Sequence, residues 1–289
     1  MIRVDSIEDL REVRHLWRLE DKKVGFVPTM GNLHNGHLSL LDKAREHADK
    51  IICSIYVNPL QFDRPGDLAN YPRTLENDMA KLREIGADLV FCPTDKHIYP
   101  RGMEHATTVD VPGITDVLDG AHRPGHFIGV ATVVCKLFNM VQPELAVFGE
   151  KDFQQLLVVR RMTADLNLPV EIIGAPTARE DHGLAMSSRN NYLTPKEREQ
   201  GGWLYKLLCQ GAESLLAGKS DHRSLEADME NQLRQLNFDP DYYSIRRTLD
   251  LEPAREGDAV EDLIILVAAQ CGKARLIDNL ALASYIESR

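Results

Sequence analysis

The chain has 289 residues, of which 43% are hydrophobic and 27% charged, which is typical of a folded protein with one large domain or two of ordinary size. Its 44 acidic residues outnumber its 34 basic residues, so the formal net charge is −10, and this argues against a protein that coats nucleic acid. A small anionic substrate is still compatible with this charge, because it needs only a locally basic cleft.

The first part of the chain alternates short apolar strands with helices. Apolar residues recur at helical spacing in 6–18, whereas 51–57 is apolar and β-branched, as in a strand buried on both faces. In chain order we predict helix 6–18, strand 24–27 closed by Pro28, helix 38–48, strand 51–57, helix 75–85, strand 88–91, helix 129–141, strand 145–148, helix 152–166 and strand 170–174. This alternation is typical of a parallel sheet with helices on both faces, so we expect an α/β fold with a Rossmann-like doubly wound sheet.

The pattern changes near residue 177. Two long helices and three strand-like runs follow, at 195–217, 222–236, 243–246, 263–269 and 275–277. We therefore expect a catalytic domain, 1–176, that binds the nucleotide, and a smaller α+β C-terminal domain, 177–289, with a linker at 175–177.

The cysteines and the N-terminus indicate where the protein works. The five cysteines are odd in number and widely spaced, and no pair has the spacing of a zinc or redox motif, so we interpret them as buried thiols in a reducing compartment. The N-terminus lacks the apolar core of a signal peptide, and no apolar run approaches the roughly 20 residues that span a bilayer. We expect a cytoplasmic protein that binds no membrane.

The strongest chemical signal follows the first predicted strand, where His34 and His37 open a helix in a loop that also contains Gly31 and Gly36. Backbone amides and the positive dipole end at a helix start suit an anion such as a triphosphate. Imidazole N–H groups can bind phosphate oxygens, most strongly as charge moves to a leaving pyrophosphate, and the glycines let a nucleotide approach the backbone. The alternatives are a zinc site, which lacks further ligands at suitable spacing, a helix cap beside a core histidine, and a dinucleotide site, which lacks G-x-G-x-x-G.

Polar residues also follow the strand 51–57. Because ligands bind doubly wound sheets at the carboxyl ends of the strands, the loops after Val27, Val57 and Phe148 are expected to carry the chemistry. Asn58 and Gln61 offer neutral donors and acceptors that suit a hydroxylated acid. The alternative is a turn that caps the strand, with Gln61 in solvent.

The loop after Phe148 combines groups that suit a nucleotide. Gly149 permits close approach, Lys151 supplies a positive charge for phosphate or carboxylate, and Asp152 can accept hydrogen bonds from ribose hydroxyls. Glu150 fits an ordinary structural acid at a helix start. Further along, Ser187, Ser188 and Arg189 provide two hydroxyls and a guanidinium that together can bind phosphate.

The string Pro-Thr-Met-Gly-Asn-Leu-His-Asn-Gly-His-Leu-Ser-Leu at 28–40 resembles the HxGH nucleotidyltransferase superfamily, which includes the class I aminoacyl-tRNA synthetases, and in its full length it resembles the pantothenate synthetase family. Met186–Asn190 resembles the second signature of the superfamily, the counterpart of the KMSKS loop, with Arg189 in place of lysine. Strings that agree with the family also stand at 56–62, 71–75, 148–155 and 274–279, so the likeness covers nearly the whole chain. We interpret the string 274–279 as structural.

The resemblance implies an ATP-dependent ligase that condenses (R)-pantoate with β-alanine to pantothenate through a pantoyl adenylate and releases AMP and pyrophosphate. ATP is expected as a co-substrate with Mg²⁺, and the protein as a homodimer. Catalysis is assigned to His34, His37, Lys151 and Arg189, and substrate binding to Met30, Asn58, Gln61 and Gln155. ATP contacts are assigned to Met30, Gly31, Asn32, Leu33, His34, Asn35, Gly36, His37, Gly149, Glu150, Lys151, Asp152, Ala178, Met186, Ser187, Ser188 and Arg189.

Three features stay open. Asp181-His182-Gly183 stands where the family commonly has Asp-Gly before its Ser-Ser-Arg loop, which leaves the role of Asp181 unassigned. The stretch 63–70 is interpreted as a loop and receives no role. Asp78 is expected to contact magnesium, with a solvated acid on a helix face as the alternative. Because His37 and Arg189 fall in different predicted domains, we expect the second domain to close over ATP.

Two other functions are possible on this sequence. A related adenylyl- or cytidylyltransferase would act on a phosphate ester and keep the nucleotide on its product. A nucleotide-binding regulator would not turn ATP over, although the Gln, Asn, Lys, Ser and Arg constellation is richer than ATP binding requires.

Overall fold

A six-stranded parallel sheet and a three-stranded antiparallel sheet organise the protein in a computed structural model that describes residues 1–62 and 65–289. The strands are β1 (Ile2–Val4), β2 (Val24–Thr29), β3 (Lys50–Ile55), β4 (Leu89–Phe91), β5 (Leu145–Gly149), β6 (Glu171–Ala175), β7 (Asp239–Arg247), β8 (Leu263–Cys271) and β9 (Ala274–Ala281). The helices are α1 (Ile7–Leu19), α2 (Asn35–Arg45), α3 (Pro65–Asn70), α4 (Leu75–Glu84), α5 (Asp95–Ile98), α6 (Asp119–His122), α7 (His126–Val141), α8 (Phe153–Asp165), α9 (Pro195–Gly201), α10 (Trp203–Leu216), α11 (His222–Gln235) and α12 (Leu282–Glu287).

The larger sheet has the strand order β1-β4-β3-β2-β5-β6, and its strands are parallel. The order reverses at β2, because β3 and β4 add on one side of it and β5 and β6 on the other. The predicted α/β class with a doubly wound sheet is confirmed, as is the small α+β part at the C-terminus. Ligands bind such sheets at the point of reversal, here the carboxyl ends of β2 and β5.

Helices cover both faces of this sheet, which explains why its strands are apolar almost throughout. On one face α7 places Phe138 between Phe26 of β2 and Phe148 of β5, with ring centroids 6.4 and 6.3 Å away in edge-to-face arrangements. The alternate side chains of the strands pack on the other face, where Leu41 of α2 and Leu82 of α4 are fully buried.

The chain forms two compact units. The first comprises Met1–Asp116, Arg123–Glu150 and Gln155–Pro176, and the second comprises Val117–His122, Lys151–Gln154 and Thr177–Arg289. The second unit thus takes in two short segments that precede residue 177 in the chain. Its core lies between the sheet β7-β8-β9 and the helices α10 and α11, where Leu208, Leu233 and Ile265 are fully buried.

Several element predictions were wrong in detail, among them the helix predicted over 38–48, which is α2 at Asn35–Arg45, and the loop predicted at 63–70, whose residues Pro65–Asn70 form α3 while 63–64 lie outside the described residues. The helix predicted over 195–217 is two helices, α9 and α10, that are separated at Gly202. A side chain at Gly202 would clash with the backbone of His182. This glycine therefore lets the junction between α9 and α10 lie close to the backbone at His182. β2 continues through Pro28 instead of ending before it, because β2 pairs with β5 only at Gly25 and Phe26 and the missing N–H interrupts no ladder there. β1 was not predicted, since three residues carry no clear period.

The helices and the cysteines can be compared with the predictions of a reducing compartment and of no membrane binding. No helix within the described ranges combines the length and the apolarity that crossing a bilayer requires. All five cysteines are free thiols; Cys53 and Cys271 are buried and the others half-buried. The prediction that the cysteines are buried is therefore confirmed in full for Cys53 and Cys271.

Candidate active site

The chain turns sharply between β2 and α2. Gly31 and Asn32 have φ angles of 77° and 51°, in the left-handed region that glycine adopts freely and asparagine tolerates. The Thr29 hydroxyl oxygen stabilises the turn by accepting the Gly31 N–H at 3.2 Å. Because of this turn, α2 begins at Asn35 with His34 as its N-cap residue.

A buried carboxylate from α4 holds the turn in place. Asp78 is 1% exposed, and it accepts the N–H of Leu33 at 2.7 Å and the N–H of Asn32 at 2.8 Å. Its Oδ2 also accepts the Thr74 hydroxyl at 3.1 Å, and Lys81 donates to the Leu33 carbonyl oxygen at 2.5 Å. The alternative of a solvated acid on a helix face is therefore wrong for Asp78.

The two histidines lie side by side at the start of α2. Their ring centroids are 4.0 Å apart and their planes are tilted by 36°. His37 Nδ1 accepts the backbone N–H of His34 at 3.4 Å, which is half of a capping box. A neutral imidazole whose Nδ1 accepts carries its proton on Nε2. The helix cap considered as an alternative is thus present, and it gives neutral His37 an N–H donor at Nε2.

β5, the neighbour of β2 in the sheet, ends at Gly149, where an added β-carbon would meet no close neighbour in the part of the chain that the structure describes. Within the described residues, the nearest atom to a β-carbon built at Gly149 belongs to Leu40, at 3.9 Å. Glu150 lies instead over β6, where its carboxylate would be 2.9 Å from a β-carbon built at Gly174. Gly149 therefore has room for a close approach, whereas Glu150 packs on the sheet.

Asn58 and Gln61 form a hydrogen-bonded turn after β3. Asn58, 1% exposed, donates to Gln61 Oε1 and to the Gly129 carbonyl oxygen, both at 3.1 Å, and its Oδ1 accepts the Tyr99 hydroxyl at 2.7 Å. Gln61 Nε2 lies 3.1 Å from the sulfur of Met30. The alternative with Gln61 in solvent is wrong, because this side chain is 9% exposed.

The start of α7 contributes residues that the sequence analysis missed. The Gln61 carbonyl oxygen accepts hydrogen bonds from His126 Nδ1 at 2.7 Å and from Arg123 at 3.2 Å. The α7 backbone comes so close that a side chain at Gly129 would clash with the Leu60 carbonyl. The available signal was the density of His, Arg, Gly and Pro in 119–127, a stretch without helical or strand periodicity.

Lys151 and Asp152 belong to the second unit and lie in a 3₁₀ turn, so the helix predicted from 152 begins one residue later. Lys151 Nζ is 3.3 Å from Asp152 Oδ1, and the two side chains are 14% and 45% exposed. Asn279 of β9 donates from its side chain to the Lys151 carbonyl oxygen at 2.9 Å. The lysine is therefore a partly covered cation whose backbone is tied to the antiparallel sheet.

A hairpin at 178–186 presents the Ser-Ser-Arg tripeptide. The Met186 N–H donates to the Ala178 carbonyl oxygen at 2.9 Å, and the tip contains Gly183 with φ of 100°. Asp181 is exposed at this tip. Beyond the hairpin Ser187 caps a 3₁₀ turn, because its Oγ accepts the Arg189 N–H at 3.2 Å.

The predicted residues thus fall into two groups. In the first unit, the strand ends and the start of α2 carry Met30, Gly31, Asn32, Leu33, His34, Asn35, Gly36, His37, Asn58, Gln61 and Gly149. Gln155 is half-buried on α8. The second unit carries Lys151, Asp152, Ala178, Met186, Ser187, Ser188 and Arg189. In the part of the chain that the structure describes, no three His, Cys, Asp or Glu side chains are grouped as metal ligands would be.

The sequence is similar to a known enzyme family over nearly its whole length. A family model described as Pantoate-beta-alanine ligase matches residues 3–281. The pantothenate synthetase of Photobacterium profundum is 53% identical over 270 residues, which cover 93% of this chain and 91% of that protein.

Two solved structures are also similar. Pantothenate synthetase from Thermus thermophilus has a TM-score of 0.89 and 46% identity, over 98% of this chain and 99% of that chain. The pantoate-beta-alanine ligase of Francisella tularensis, solved as a complex with Beta-gamma ATP and β-alanine, has a TM-score of 0.81 and 34% identity, over 98% of each chain.

Proposed function

The chain is an enzyme of the pantoate–β-alanine ligase family, and from that premise we propose that it joins (R)-pantoate to β-alanine at the expense of ATP. The proposed intermediate is pantoyl adenylate, and the other products are pyrophosphate and AMP. ATP enters as a substrate together with the Mg²⁺ bound to its phosphates.

The observation that carries the proposal is the pairing of two different polar features at neighbouring strand ends. The start of α2, with His34 and His37, suits a phosphate chain. The turn after β3 presents the neutral amide of Gln61 beside Met30, oriented by Asn58, and such an amide suits a hydroxylated acid. A protein that only binds a nucleotide needs the first feature and not the second.

In the first step, a carboxylate oxygen of pantoate attacks the α-phosphorus of ATP. The bond from that phosphorus to the bridging oxygen breaks, and pyrophosphate leaves with the electron pair. His37, with His34 beside it, stabilises the charge on the leaving group through Nε2–H at the positive end of α2. Lys151 and Arg189 neutralise phosphate charge, while Gln61 orients pantoate.

In the second step, the neutral amine of β-alanine attacks the activated carbonyl carbon. The amide bond forms, the amine loses a proton, and AMP leaves. No nucleophile from the protein is required, so the rate comes from positioning and from charge stabilisation. Met30 and Gln155 complete the pantoate contacts in this proposal, and Gly149 and Asp152 contact the nucleoside.

Asp78 and Asn58 are assigned to positioning within the same proposal. Asp78 Oδ2 already accepts two protein hydrogen bonds and Oδ1 accepts one. A carboxylate so engaged and 1% exposed does not fit a direct ligand of Mg²⁺, which needs open oxygens and usually keeps several waters. Asn58 is equally covered, so it orients Gln61 instead of contacting pantoate.

The test is an incubation with MgATP and (R)-pantoate, with and without β-alanine, in which nucleotides, pyrophosphate and pantothenate are separated by chromatography. AMP and pantothenate should accumulate in equal amounts only when both organic substrates are present. With a heavy-oxygen label in the pantoate carboxyl group, the label should appear in AMP, because the carboxylate oxygen that attacks phosphorus stays with it.

Other outcomes would contradict the proposal. Pyrophosphate without AMP or pantothenate would indicate a transferase with another acceptor. Absence of label from AMP would exclude the adenylate. No ATP turnover at all would favour the nucleotide-binding regulator, and pantoate should then leave the affinity for ATP unchanged.

A further inference from the structure

Two adjacent residues of β9, Asp278 and Asn279, place buried polar side chains on opposite faces of one strand. They are 4% and 7% exposed. Successive side chains of a strand point to opposite faces, so each reaches different surroundings. Buried polar groups are nearly always hydrogen-bonded, and the partners of these two belong to the elements proposed to bind phosphate.

Asn279 fixes the backbone of Lys151. Its Nδ2 donates to the Lys151 carbonyl oxygen at 2.9 Å. Arg275, on the same face of β9, donates to Asp119 at 2.6 Å, and the Asp119 N–H donates to Gln154 Oε1 at 3.2 Å. This face of the strand therefore holds the segment Lys151–Gln154 at both of its ends.

Asp278 fixes the hairpin that leads to Ser187. Its carboxylate accepts two hydrogen bonds from the Arg179 guanidinium, at 2.6 and 3.0 Å, which is the strong bidentate geometry. The same guanidinium lies 3.7 Å from the ring centroid of Tyr205. Arg179 pairs with Ala185 across the hairpin, so its position sets where the second arm emerges.

We infer that Asp278 and Asn279 are positioning residues that hold Lys151 and the Ser187–Arg189 loop on one common strand. The inference rests on the proposed function, because only there do Lys151 and Arg189 neutralise phosphate charge. Anchoring both elements to adjacent residues of a packed sheet fixes their spacing. A misplacement of about 1 Å can cost about 10²-fold in rate. The string 274–279 then has a role in catalysis besides its structural one.

The test compares Asn279→Ala with Tyr243→Phe in the full-length protein. Tyr243 is a matched control, because its buried hydroxyl also donates to a backbone carbonyl, that of Leu207 at 3.0 Å, from the same sheet. Pantoate-dependent pyrophosphate release is measured against ATP and against pantoate. In Asn279→Ala the KM for ATP should rise, and kcat/KM for ATP should fall, by about 10- to 100-fold. The KM for pantoate should stay within about twofold of wild type, since uniform binding of pantoate is untouched.

A double-mutant cycle with Lys151→Ala shows whether Asn279 acts through the lysine. Lys151→Ala removes the side chain and keeps the carbonyl that Asn279 binds. Asn279→Ala should then add less than about twofold to the loss in kcat/KM for ATP, because the group it positions is gone. In a second cycle, Asp278→Asn should likewise add less than about twofold to the loss in kcat/KM for ATP that Arg189→Ala causes.

Several results would overturn the inference. Asn279 would have only a structural role if Asn279→Ala showed normal ATP kinetics. The same would follow if Asn279→Ala lowered kcat/KM for ATP equally with and without the Lys151 side chain, or if it raised the KM for ATP and the KM for pantoate equally. If Asn279→Ala does not fold, Asn279→Gln, which displaces the amide donor by one methylene, is measured instead. Absence of ATP turnover by the unaltered protein would overturn the proposed function itself, and this inference with it.

Discussion

A backbone N–H, that of His34, favours one tautomer of His37. Its Nδ1 accepts the His34 N–H, so a neutral ring donates from Nε2. At the positive end of α2 this donor is oriented before the substrate arrives, and such preorganised donors contribute most where charge develops in the transition state. A single hydrogen bond within the helix cap thus orients the donor that is proposed to act in catalysis.

Replacing His37 with alanine is expected to lower pantoate-dependent pyrophosphate release by about 10²–10³-fold, the scale of deleting one transition-state donor. Rates are measured at saturating ATP and pantoate. His15→Ala is the control, because His15 is an exposed histidine on α1. Near-normal adenylation by His37→Ala would remove the residue from the mechanism.

Replacing Asp78 with asparagine should lower the free energy of unfolding by about 1–3 kcal/mol, because one of the two buried N–H groups of the turn loses its acceptor oxygen and faces the new side-chain NH2 group. The adenylation rate of this variant should also fall, because the turn is less well held, while the Mg²⁺ concentration that gives half the maximal rate should stay unchanged. Urea unfolding and a Mg²⁺ titration check the two parts. Asp88→Asn is the control, since Asp88 also accepts a backbone N–H, that of Ile51 at 2.9 Å, but before β4. A strong shift in the Mg²⁺ requirement would make Asp78 a metal contact after all.

Among the elements, the contact between α7 and the turn after β3 positions Gln61, which is proposed to bind pantoate. The helix supplies His126 to the Gln61 carbonyl oxygen, and Gly129 lets the two backbones meet. The apolar run of α7 is needed for the core, yet its first turn is polar. One helix therefore stabilises the sheet along most of its length and, at its beginning, orients Gln61, which is proposed to bind pantoate.

Gly129→Ala is expected to displace the turn and to lower kcat/KM for pantoate by about 10²-fold. The unfolding free energy should fall by about 1–3 kcal/mol, as for other overpacked sites. Gly25→Ala is the control, because its β-carbon would crowd only side chains, at 3.2 to 3.3 Å, within the core. If both variants lose pantoate efficiency equally, loss of stability and not the turn explains the effect.

At the scale of the whole molecule, the thiols report on how tightly the chain is packed. Burial raises the pKa of Cys53 to about 12 and the pKa of Cys92 to about 11. Burial also raises the pKa values of Cys135, Cys209 and Cys271. Because the thiolate is the reactive form, a raised pKa lowers the reactive fraction near neutral pH.

The native protein should therefore react with a disulfide reagent such as DTNB at least about tenfold more slowly than free cysteine near pH 8. The rate should increase as the pH rises toward the raised pKa values. After denaturation in guanidinium chloride all five thiols should titrate. A native thiol that reacts at the rate of free cysteine would show an exposed or activated cysteine.

The homodimer and the closure of the second domain over ATP stay predictions. Sedimentation would test the homodimer, and scattering with and without ATP would test the closure.

The α/β class follows from the sequence alone, because strands buried on both faces must be apolar and the helices between them must be amphipathic. The sequence also located the start of α2 and the ends of the strands predicted in the larger sheet to within about three residues, since glycines, histidines and caps act over a few residues. Only the tertiary structure decided which polar groups meet. Asp78 lies 46 residues from Asn32, His126 lies 65 from Gln61, and Asn279 lies 128 from Lys151. Hydrogen bonds over such separations leave no local pattern, because they depend on where the packed sheets bring distant segments together.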